Sequence, residues 1–154
     1  MIVGVISDTH GLLRPQAMDA LQGSQHIIHA GDIGAADIIP ALREIAPVTA
    51  IRGNVDHEPW TMQFPETNVA ELAGLQIYVI HSVQALDLNP RAAGFAAVVS
   101  GHSHQPNQLL KDGVLYFNPG SAGPRRFKLP ISVGRLELVN GKLTGRIIEL
   151  VTGP

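Results

Sequence analysis

Short motifs that contain aspartate, asparagine and histidine follow several apolar runs in this sequence. The pairs Asp8–His10 and His102–His104 each have one residue between the two side chains, and each comes soon after an apolar run. Carboxylate, amide and imidazole groups are ligands for divalent transition metals. Residues of this kind follow five apolar runs. The seven candidate ligand residues are Asp8, His10, Asp32, Asn54, His81, His102 and His104.

Each of these motifs taken alone has an ordinary structural explanation. Gly-Asp and Gly-Asn pairs commonly mark turns, a single histidine such as His81 is often a core residue, and "SGHSH" at 100–104 could be a polar loop. The joint pattern favours a metal site, because all the candidate side chains lie close to the end of an apolar run. Clustered buried aspartates and histidines also need a compensating charge, which metal ions supply.

Composition and charge exclude several classes of protein. The chain has 154 residues, a formal net charge of −2 and no cysteine. The lack of cysteine excludes disulfides and thiolate metal sites. No basic cluster offers the electrostatic surface that nucleic-acid binding needs, and no apolar run approaches the about 20 residues of a membrane span. The N-terminus shows no secretion signal, so we expect a soluble cytoplasmic protein without a membrane partner.

The first third of the chain alternates strands with helices. Apolar β-branched runs predict buried strands, while Pro15 and Gly23 mark the ends of a first helix. Pro40 either delays or kinks a second helix. This order implies parallel strands whose carboxyl ends meet at one sheet edge, where ligands bind. The predicted strands are 2–6, 26–30 and 48–52, and the predicted helices lie within 14–23 and 36–46.

The remainder of the chain is rich in strands. We predict two strands within 69–81, joined at Ala73–Gly74, a hairpin turn at 140–142 and one helix near 89–95. Further strands are predicted at 96–101, 113–118, 131–138 and 142–150. The predicted fold class is α/β, with two mixed β-sheets packed as a sandwich and flanked by helices, in a single domain over residues 1–154.

Five motif blocks follow one another along the chain. They read SDTHG at 7–11, HAGD at 29–32, GNVD at 53–56, IHS at 80–82 and SGHSH at 100–104. In this order they resemble the motifs of the calcineurin-like metallophosphoesterases. The small size and the segment NPGSAGPRR at 118–126 resemble the compact branch called YfcE-like phosphodiesterases. The resemblance runs from residue 1 to about residue 150 and implies the αββα fold of that superfamily.

The resemblance also implies a binuclear metal centre bridged by Asp32. Asp8, His10 and His104 would hold the first ion, and Asn54, His81 and His102 the second. His102 and His104 would be close in sequence because they serve different ions, both pointing the same way from an extended stretch, with Gly101 allowing close backbone approach. We expect manganese, with iron, cobalt, nickel and zinc as alternatives. Two such ions convert water to a metal-activated hydroxide and clamp the phosphate.

The function implied is that of a metal-dependent phosphoesterase, more specifically a phosphodiesterase acting on a small phosphoester. The alternatives are a phosphomonoesterase using the same site and a non-catalytic scaffold that retains the fold, like the retromer subunit of this superfamily. Asp32, Asn54 and Asp56 are the predicted catalytic residues, with Asp56 orienting loops or ligands. Asn54, Arg125 and Arg126 are predicted to bind substrate, with a solvated surface pair as the alternative for the two arginines.

Val55 stands where many relatives have a histidine that protonates the leaving group, and the YfcE-like branch also lacks that histidine. His57 is either a replacement acid or an exposed loop residue. We expect His29 to support the site or pack beside it, and His26 to be structural.

Trp60, Met62 and Phe64 alternate within a short segment. They belong to the core, line the site, or form a patch through which the chain assembles as a homo-oligomer.

Overall fold

The computed structural model describes residues 1–152 and contains two five-stranded sheets. The single domain predicted over 1–154 therefore ends two residues beyond the described part of the chain. The first sheet has the strand order β10-β9-β1-β2-β3. Its strands are β1 (Ile2–Ile6), β2 (His26–His29), β3 (Val48–Ala50), β9 (Ser132–Val139) and β10 (Lys142–Glu149).

Strands β1, β2 and β3 are parallel, because a helix connects each to the next. Helix α1 (Pro15–Leu21) begins at its proline as predicted, and helix α2 (Ile38–Arg43) carries Pro40 in its first turn. Both helices bury apolar side chains, Leu21 and Leu42 among them, against the outer face of the first sheet. The hairpin predicted at 140–142 joins β9 to β10.

The second sheet has the order β4-β5-β6-β8-β7. Its strands are β4 (Thr67–Leu72), β5 (Leu75–Ile80), β6 (Ala97–Val99), β7 (Asn107–Lys111) and β8 (Val114–Asn118). Strands β5, β6 and β8 are parallel, and the outer strands β4 and β7 are antiparallel to their neighbours. Short 3₁₀ helices cover Pro59–Gln63 and Val83–Ala85.

The prediction of a helix near 89–95 is wrong. That segment forms successive turns, with the Ala93 amide donating to the Asn89 carbonyl at 3.0 Å and the Phe95 amide to the Pro90 carbonyl at 2.9 Å. Gly94 has a φ of +83° and ends the segment after too few residues for a helix. The turns bring Phe95 against Tyr78 on the outer face of the second sheet, so irregular backbone covers this face.

The main core lies between the two sheets. Val3 and Val5 of β1 face Val79 and Val99 of the second sheet, and Phe117 of β8 closes the same layer. The alternation along each strand gives one side chain to this layer and the next to an outer face. The predicted sandwich of two mixed sheets with helices is therefore confirmed. No helix within residues 1–152 is long and apolar enough to cross a membrane.

Candidate metal centre

The seven candidate ligands meet at one end of the sandwich. The loops after β1, β2 and β3 approach it from the first sheet, and the loops after β5 and β6 approach it from the second. Parallel strands direct their carboxyl ends to the same edge, so the polar residue after each strand arrives at the same place. The first sheet contributes Asp8, His10, Asp32 and Asn54, and the second contributes His81, His102 and His104.

One group of ligand atoms comes from Asp8, His10 and His104. The Nε2 atoms of His10 and His104 lie 3.2 Å apart. Asp8 Oδ1 is 3.3 Å from His104 Nε2 and 3.6 Å from His10 Nε2. All three atoms therefore face one small volume, and these are the residues assigned above to the first ion.

A second group comes from Asp32, His81 and His102. Asp32 Oδ2 lies 3.1 Å from His81 Nε2, and His102 Nδ1 lies 3.2 Å from the side-chain oxygen of Asn54. Asp32 Oδ2 is also 3.6 Å from His10 Nε2, so this carboxylate stands between the two groups. Its position is the one that a bridging ligand requires.

Two buried ligand atoms in the cluster have no hydrogen-bond partner. His81 Nδ1 lies 2.7 Å from the Ala30 carbonyl, which assigns the ring proton to Nδ1 and leaves a lone pair on Nε2. That lone pair faces the carboxylates of Asp32 and Asp8, at 3.1 Å and 3.8 Å. Both His81 Nε2 and Asp8 Oδ1 are buried and unpaired. A lone pair and two carboxylates that face one another repel unless a metal ion or a proton lies between them, and their nitrogen and oxygen donors fit a divalent metal.

The remaining oxygen of Asp8 is held by a hydroxyl and a backbone amide. Asp8 Oδ2 accepts hydrogen bonds from the Ser7 hydroxyl at 2.6 Å and from the His102 amide at 3.0 Å. Metal ligands are commonly oriented by such partners. Ser7 was not predicted as a site residue, although its place directly before Asp8 was the available signal.

The pKa values of the candidate ligands are shifted because their side chains lie close together. Burial raises the pKa of Asp8, but the imidazoles of His10 and His104 beside it outweigh burial and hold the pKa well below its ordinary value. The Asp8 carboxylate raises the pKa of His10. Burial lowers the pKa of His81, yet the neighbouring Asp32 carboxylate and the charge of Asp8 raise it above its usual value. Without metal, protons shield these groups from one another, and metal binding must displace them.

The ligand loops share an unusual backbone conformation. Asp8, His10, Asp32, His102 and His104 all have φ between +46° and +71°. Non-glycine residues rarely adopt this left-handed region, and those that do gather at functional sites. The expectation of an extended stretch at 100–104 is therefore wrong. His102 and His104 reach the site through bends, because each residue must turn back towards a ligand group of its own.

Nine described non-glycine residues have positive φ in all. Three of the other four are Ala73, Asp112 and Asn140, each the first residue of a two-residue hairpin that ends in glycine. The remaining one is Phe127. The left-handed conformation thus marks ligand loops and hairpin corners.

Gly101 allows the close approach that its place in the motif predicts. A Cβ atom there would lie 2.0 Å from the Ser7 hydroxyl and 2.5 Å from Asp8 Oδ2. Gly53 behaves similarly, because a Cβ atom would lie 2.1 Å from Asp32 Oδ1. Any side chain at these two positions would displace a candidate ligand.

The chain matches the family model of the calcineurin-like phosphoesterase superfamily domain over residues 1–141. The chain belongs to this superfamily. It is 33% identical to a protein of Methanothermobacter thermautotrophicus named "Probable metallophosphoesterase", in an alignment that covers 97% of this chain and 92% of that protein. The family resemblance seen in the motif blocks is therefore confirmed.

Solved structures with this fold include enzymes and a sorting protein. YfcE, a phosphoesterase from E. coli, has a TM-score of 0.71 at 25% identity, covering 98% of each chain. A novel archaeal phosphodiesterase has a TM-score of 0.79 at 22% identity, covering 96% of this chain and all of that one. Vps29 from Cryptosporidium parvum has a TM-score of 0.75 at 20% identity, covering 96% of each chain. The last two show the phosphoesterase fold alone.

Asp56 organises two loops of the candidate metal centre. Its carboxylate is buried and accepts backbone N–H bonds from Gly53 at 2.8 Å, Ile33 at 3.0 Å and Gly34 at 3.2 Å. These bonds join the loop after β2 to the loop after β3. The amides occupy both oxygens of Asp56, and such contacts suit the orienting role expected of it, while its role in catalysis stays a prediction.

His29 connects two of the same loops. The ring is fully buried, its Nδ1 accepts from the Gly31 amide at 3.1 Å, and its Nε2 lies 3.0 Å from the Thr9 hydroxyl. Since Nδ1 accepts, Nε2 carries the proton and donates to Thr9, whose hydroxyl donates to the Ile33 carbonyl at 2.7 Å. His29 thus supports the site, and Thr9 is a supporting residue that the motif reading missed. His26 is structural, 2.8 Å from the Thr49 hydroxyl.

The two candidate substrate arginines lie in different surroundings. Both side chains are exposed. Arg125 donates to the Leu129 carbonyl and the Thr152 hydroxyl, both at 3.4 Å. The pKa of His10 is raised chiefly by the carboxylate of Asp8, and the charge of Arg126 opposes that rise. The guanidinium of Arg126 is thus within electrostatic reach of the cluster, whereas Arg125 is engaged elsewhere.

Val55 and His57 both lie on the exposed loop after β3. The Val55 amide donates to Asp32 Oδ1 at 3.1 Å, so its side chain stands at the rim of the cluster, where it offers no proton. In the segment that follows, Phe64 is buried and Trp60 packs against the same core, while Met62 is 59% exposed. The alternating triplet is thus mainly core.

Proposed function

We propose that this chain is a phosphodiesterase that holds two divalent metal ions at the end of its sandwich. One observation carries the proposal. Buried imidazole and carboxylate lone pairs, those of His81 and Asp8, face one another with no hydrogen-bond partner. The ions would be held by Asp8, His10 and His104 on one side and by Asn54, His81 and His102 on the other, with Asp32 contacting both.

The donor set restricts the kind of metal. It combines imidazole nitrogens with carboxylate and amide oxygens and lacks thiolate, which suits manganese, the metal we favour, and also iron, cobalt, nickel and zinc. When bound, two such ions supply an activated water nucleophile and neutralise the charge of the phosphate.

The protein's own groups orient the reaction. Asp56 fixes the loop that presents the exposed Asn54 amide beside His102, where it can contact a phosphate oxygen. Arg126 adds a positive charge near His10 for the incoming phosphate. Val55 donates no proton to the leaving group, so good leaving groups should be favoured.

A diester is preferred over a monoester as the substrate. A phosphomonoester carries a further negative charge, which the exposed Arg126 near His10 would have to offset. The novel archaeal phosphodiesterase shares the fold. A non-catalytic scaffold with this fold would not need the complete ligand set that this chain retains.

The test compares metal-stripped protein with protein reconstituted with each metal in turn. Bis(p-nitrophenyl) phosphate should be hydrolysed once manganese is added, and faster than p-nitrophenyl phosphate. An anomalous diffraction map should show two peaks among the rings of His81, His102 and His104. Faster turnover of the monoester would show that the chain is a phosphomonoesterase and not a phosphodiesterase.

Asp32→Asn tests the bridging role. Asparagine keeps an oxygen for the Val55 amide, so the fold should survive. It removes the charge shared by the two groups, so hydrolysis should fall to the metal-free background. Asp19→Asn, on the exposed face of α1, is the matched control and should keep full activity. Two bound ions with wild-type turnover in Asp32→Asn would contradict the proposed centre.

A further inference from the structure

A cavity of about 570 Å³ opens directly beside the second ligand group. It is lined by the candidate ligands Asn54, His81 and His102 and by other residues that include Arg52 and Asp87. We call this cavity the side pocket. Small-molecule sites typically have about 300–1,000 Å³, so a bare phosphate or a methyl ester would leave most of the side pocket unfilled.

The walls of the side pocket combine a fixed aromatic surface with polar groups. Tyr78 is 8% exposed, and its ring lies against Phe95 with centroids 5.0 Å apart, which fixes its orientation. Ile80 and Ala85 add apolar surface next to it. An organic group in the side pocket would therefore contact the small exposed part of a fixed ring together with Ile80 and Ala85.

Arg52 supplies hydrogen-bond donors to the side pocket. It donates to the Phe64 carbonyl, and its Nη2 lies 3.5 Å from the carboxylate of Glu66, which is 80% exposed. A guanidinium has five N–H donors, so these contacts orient it without using all of them. Asp87 is exposed and provides acceptors on the same cavity.

The charges of these residues limit the chemistry of the ligand. The side pocket is lined by one cation, Arg52, and two carboxylates, Glu66 and Asp87. A further anionic group on the substrate would meet net negative charge. An uncharged group with both donors and acceptors would be matched by Asp87 and Arg52 respectively.

We propose that the side pocket binds an uncharged, nucleoside-sized group of the diester substrate, with Arg52 and Asp87 recognising its polar edge. The inference rests on the proposed function, because His81 and His102 would bring the phosphate to the mouth of the side pocket. It assigns substrate selection to residues outside the motif blocks. Another cavity, of about 650 Å³, is lined by none of the candidate metal ligands, and Lys111 lies on its wall.

The experiment compares two diesters with the same leaving group, thymidine 5′-(p-nitrophenyl phosphate) and methyl p-nitrophenyl phosphate. Wild type with manganese should favour the thymidine ester in kcat/KM by at least about tenfold. Ala85→Phe, which fills the side pocket, and Arg52→Met should each reduce that ratio towards one. Lys111→Met, on the other cavity, is the matched control and should keep the wild-type ratio.

A binding measurement separates this inference from the proposed function. Thymidine alone, titrated calorimetrically into protein with EDTA, should bind, and Ala85→Phe should weaken binding by at least about tenfold. Equal kcat/KM for the two esters, or thymidine binding that Ala85→Phe leaves unaltered, would overturn the side-pocket assignment while leaving the hydrolase intact. Thymidine binding that depends on Ala85, with no hydrolysis of either ester by any metal, would support the side pocket and overturn the hydrolase.

Discussion

Replacing His29 by glutamine should remove an acid sensitivity that is built into the loops of the metal centre. Burial lowers the pKa of His29 from 6.5 to about 4. Between these two pH values the unfolded chain binds a proton that the folded protein excludes. The free energy of unfolding therefore falls as the pH falls through this window. At 1.36 kcal/mol per pH unit, the loss amounts to about 3 kcal/mol.

The assay is urea denaturation of metal-free protein, followed by circular dichroism from about pH 7.5 to about pH 4. Glutamine can still donate to Thr9, but it has no acceptor at the position of the His29 Nδ1 atom, so the bond from the Gly31 amide is lost. The variant should therefore be the less stable protein near neutral pH. On acidification the free energy of unfolding of the wild type should fall by about 3 kcal/mol relative to that of the variant. Taking the difference between the two proteins cancels the titration of the cluster.

His57→Gln controls for the loss of an imidazole from an exposed loop position. A difference between wild type and His29→Gln that changes by less than about 1 kcal/mol over the window would refute the reasoning. So would a difference that grows as the pH falls, because that sign requires His29 to be charged in the folded protein.

Three further predictions concern the cluster and its substrate. Gly101→Ala should weaken manganese binding measured by calorimetry, because its Cβ would displace a ligand carboxylate. Gly113→Ala is the control, because an added Cβ there has no other atom within 4 Å, and it should leave manganese affinity unchanged. Equal affinities of the two variants would contradict the close approach at Gly101. Arg126→Ala should raise KM by about tenfold, and Arg125→Ala should leave KM nearly unchanged. The reverse order would show that Arg126 is a solvated surface residue with no role in substrate binding. Val55→His should accelerate alkyl diesters more than aryl diesters, seen in the slope of log kcat/KM against leaving-group pKa, and an unchanged slope would show that no proton was needed.

The sequence predicts the ligand cluster because its residues follow buried strands directly. Runs such as 2–6 and 96–99 are apolar and contain β-branched residues, so their strands are recognisable. Parallel pairing brings Asp8 and Asp32 to one edge of the first sheet. The packing of the two sheets then places His102, which follows β6, at the same end of the sandwich. These arguments need strand direction and little else. The conformation of the loops is different, since the left-handed φ of His104 depends on what the ring must reach and not on local propensity.

The features that the sequence did not predict depend on distant or exposed residues. Strand β7 is exposed at all five positions, so it shows no alternation, and it pairs at a sheet edge where one-sided burial is absent. The three amides that bind Asp56 lie on two loops about 20 residues apart in sequence. The side pocket combines Arg52, Tyr78 and Asp87 from three separate elements.

The hairpin corners described above have a consequence for engineering. Ala73–Gly74, Asp112–Gly113 and Asn140–Gly141 precede β5, β8 and β10, so they lie at the end of the sandwich opposite the ligand loops. All six residues are exposed, and the three glycines have open space around them. Fluorophores, affinity tags or inserted domains should be accepted there, because such exposed loop tips tolerate insertion. The chemistry of one end can thus be studied with labels attached to the other.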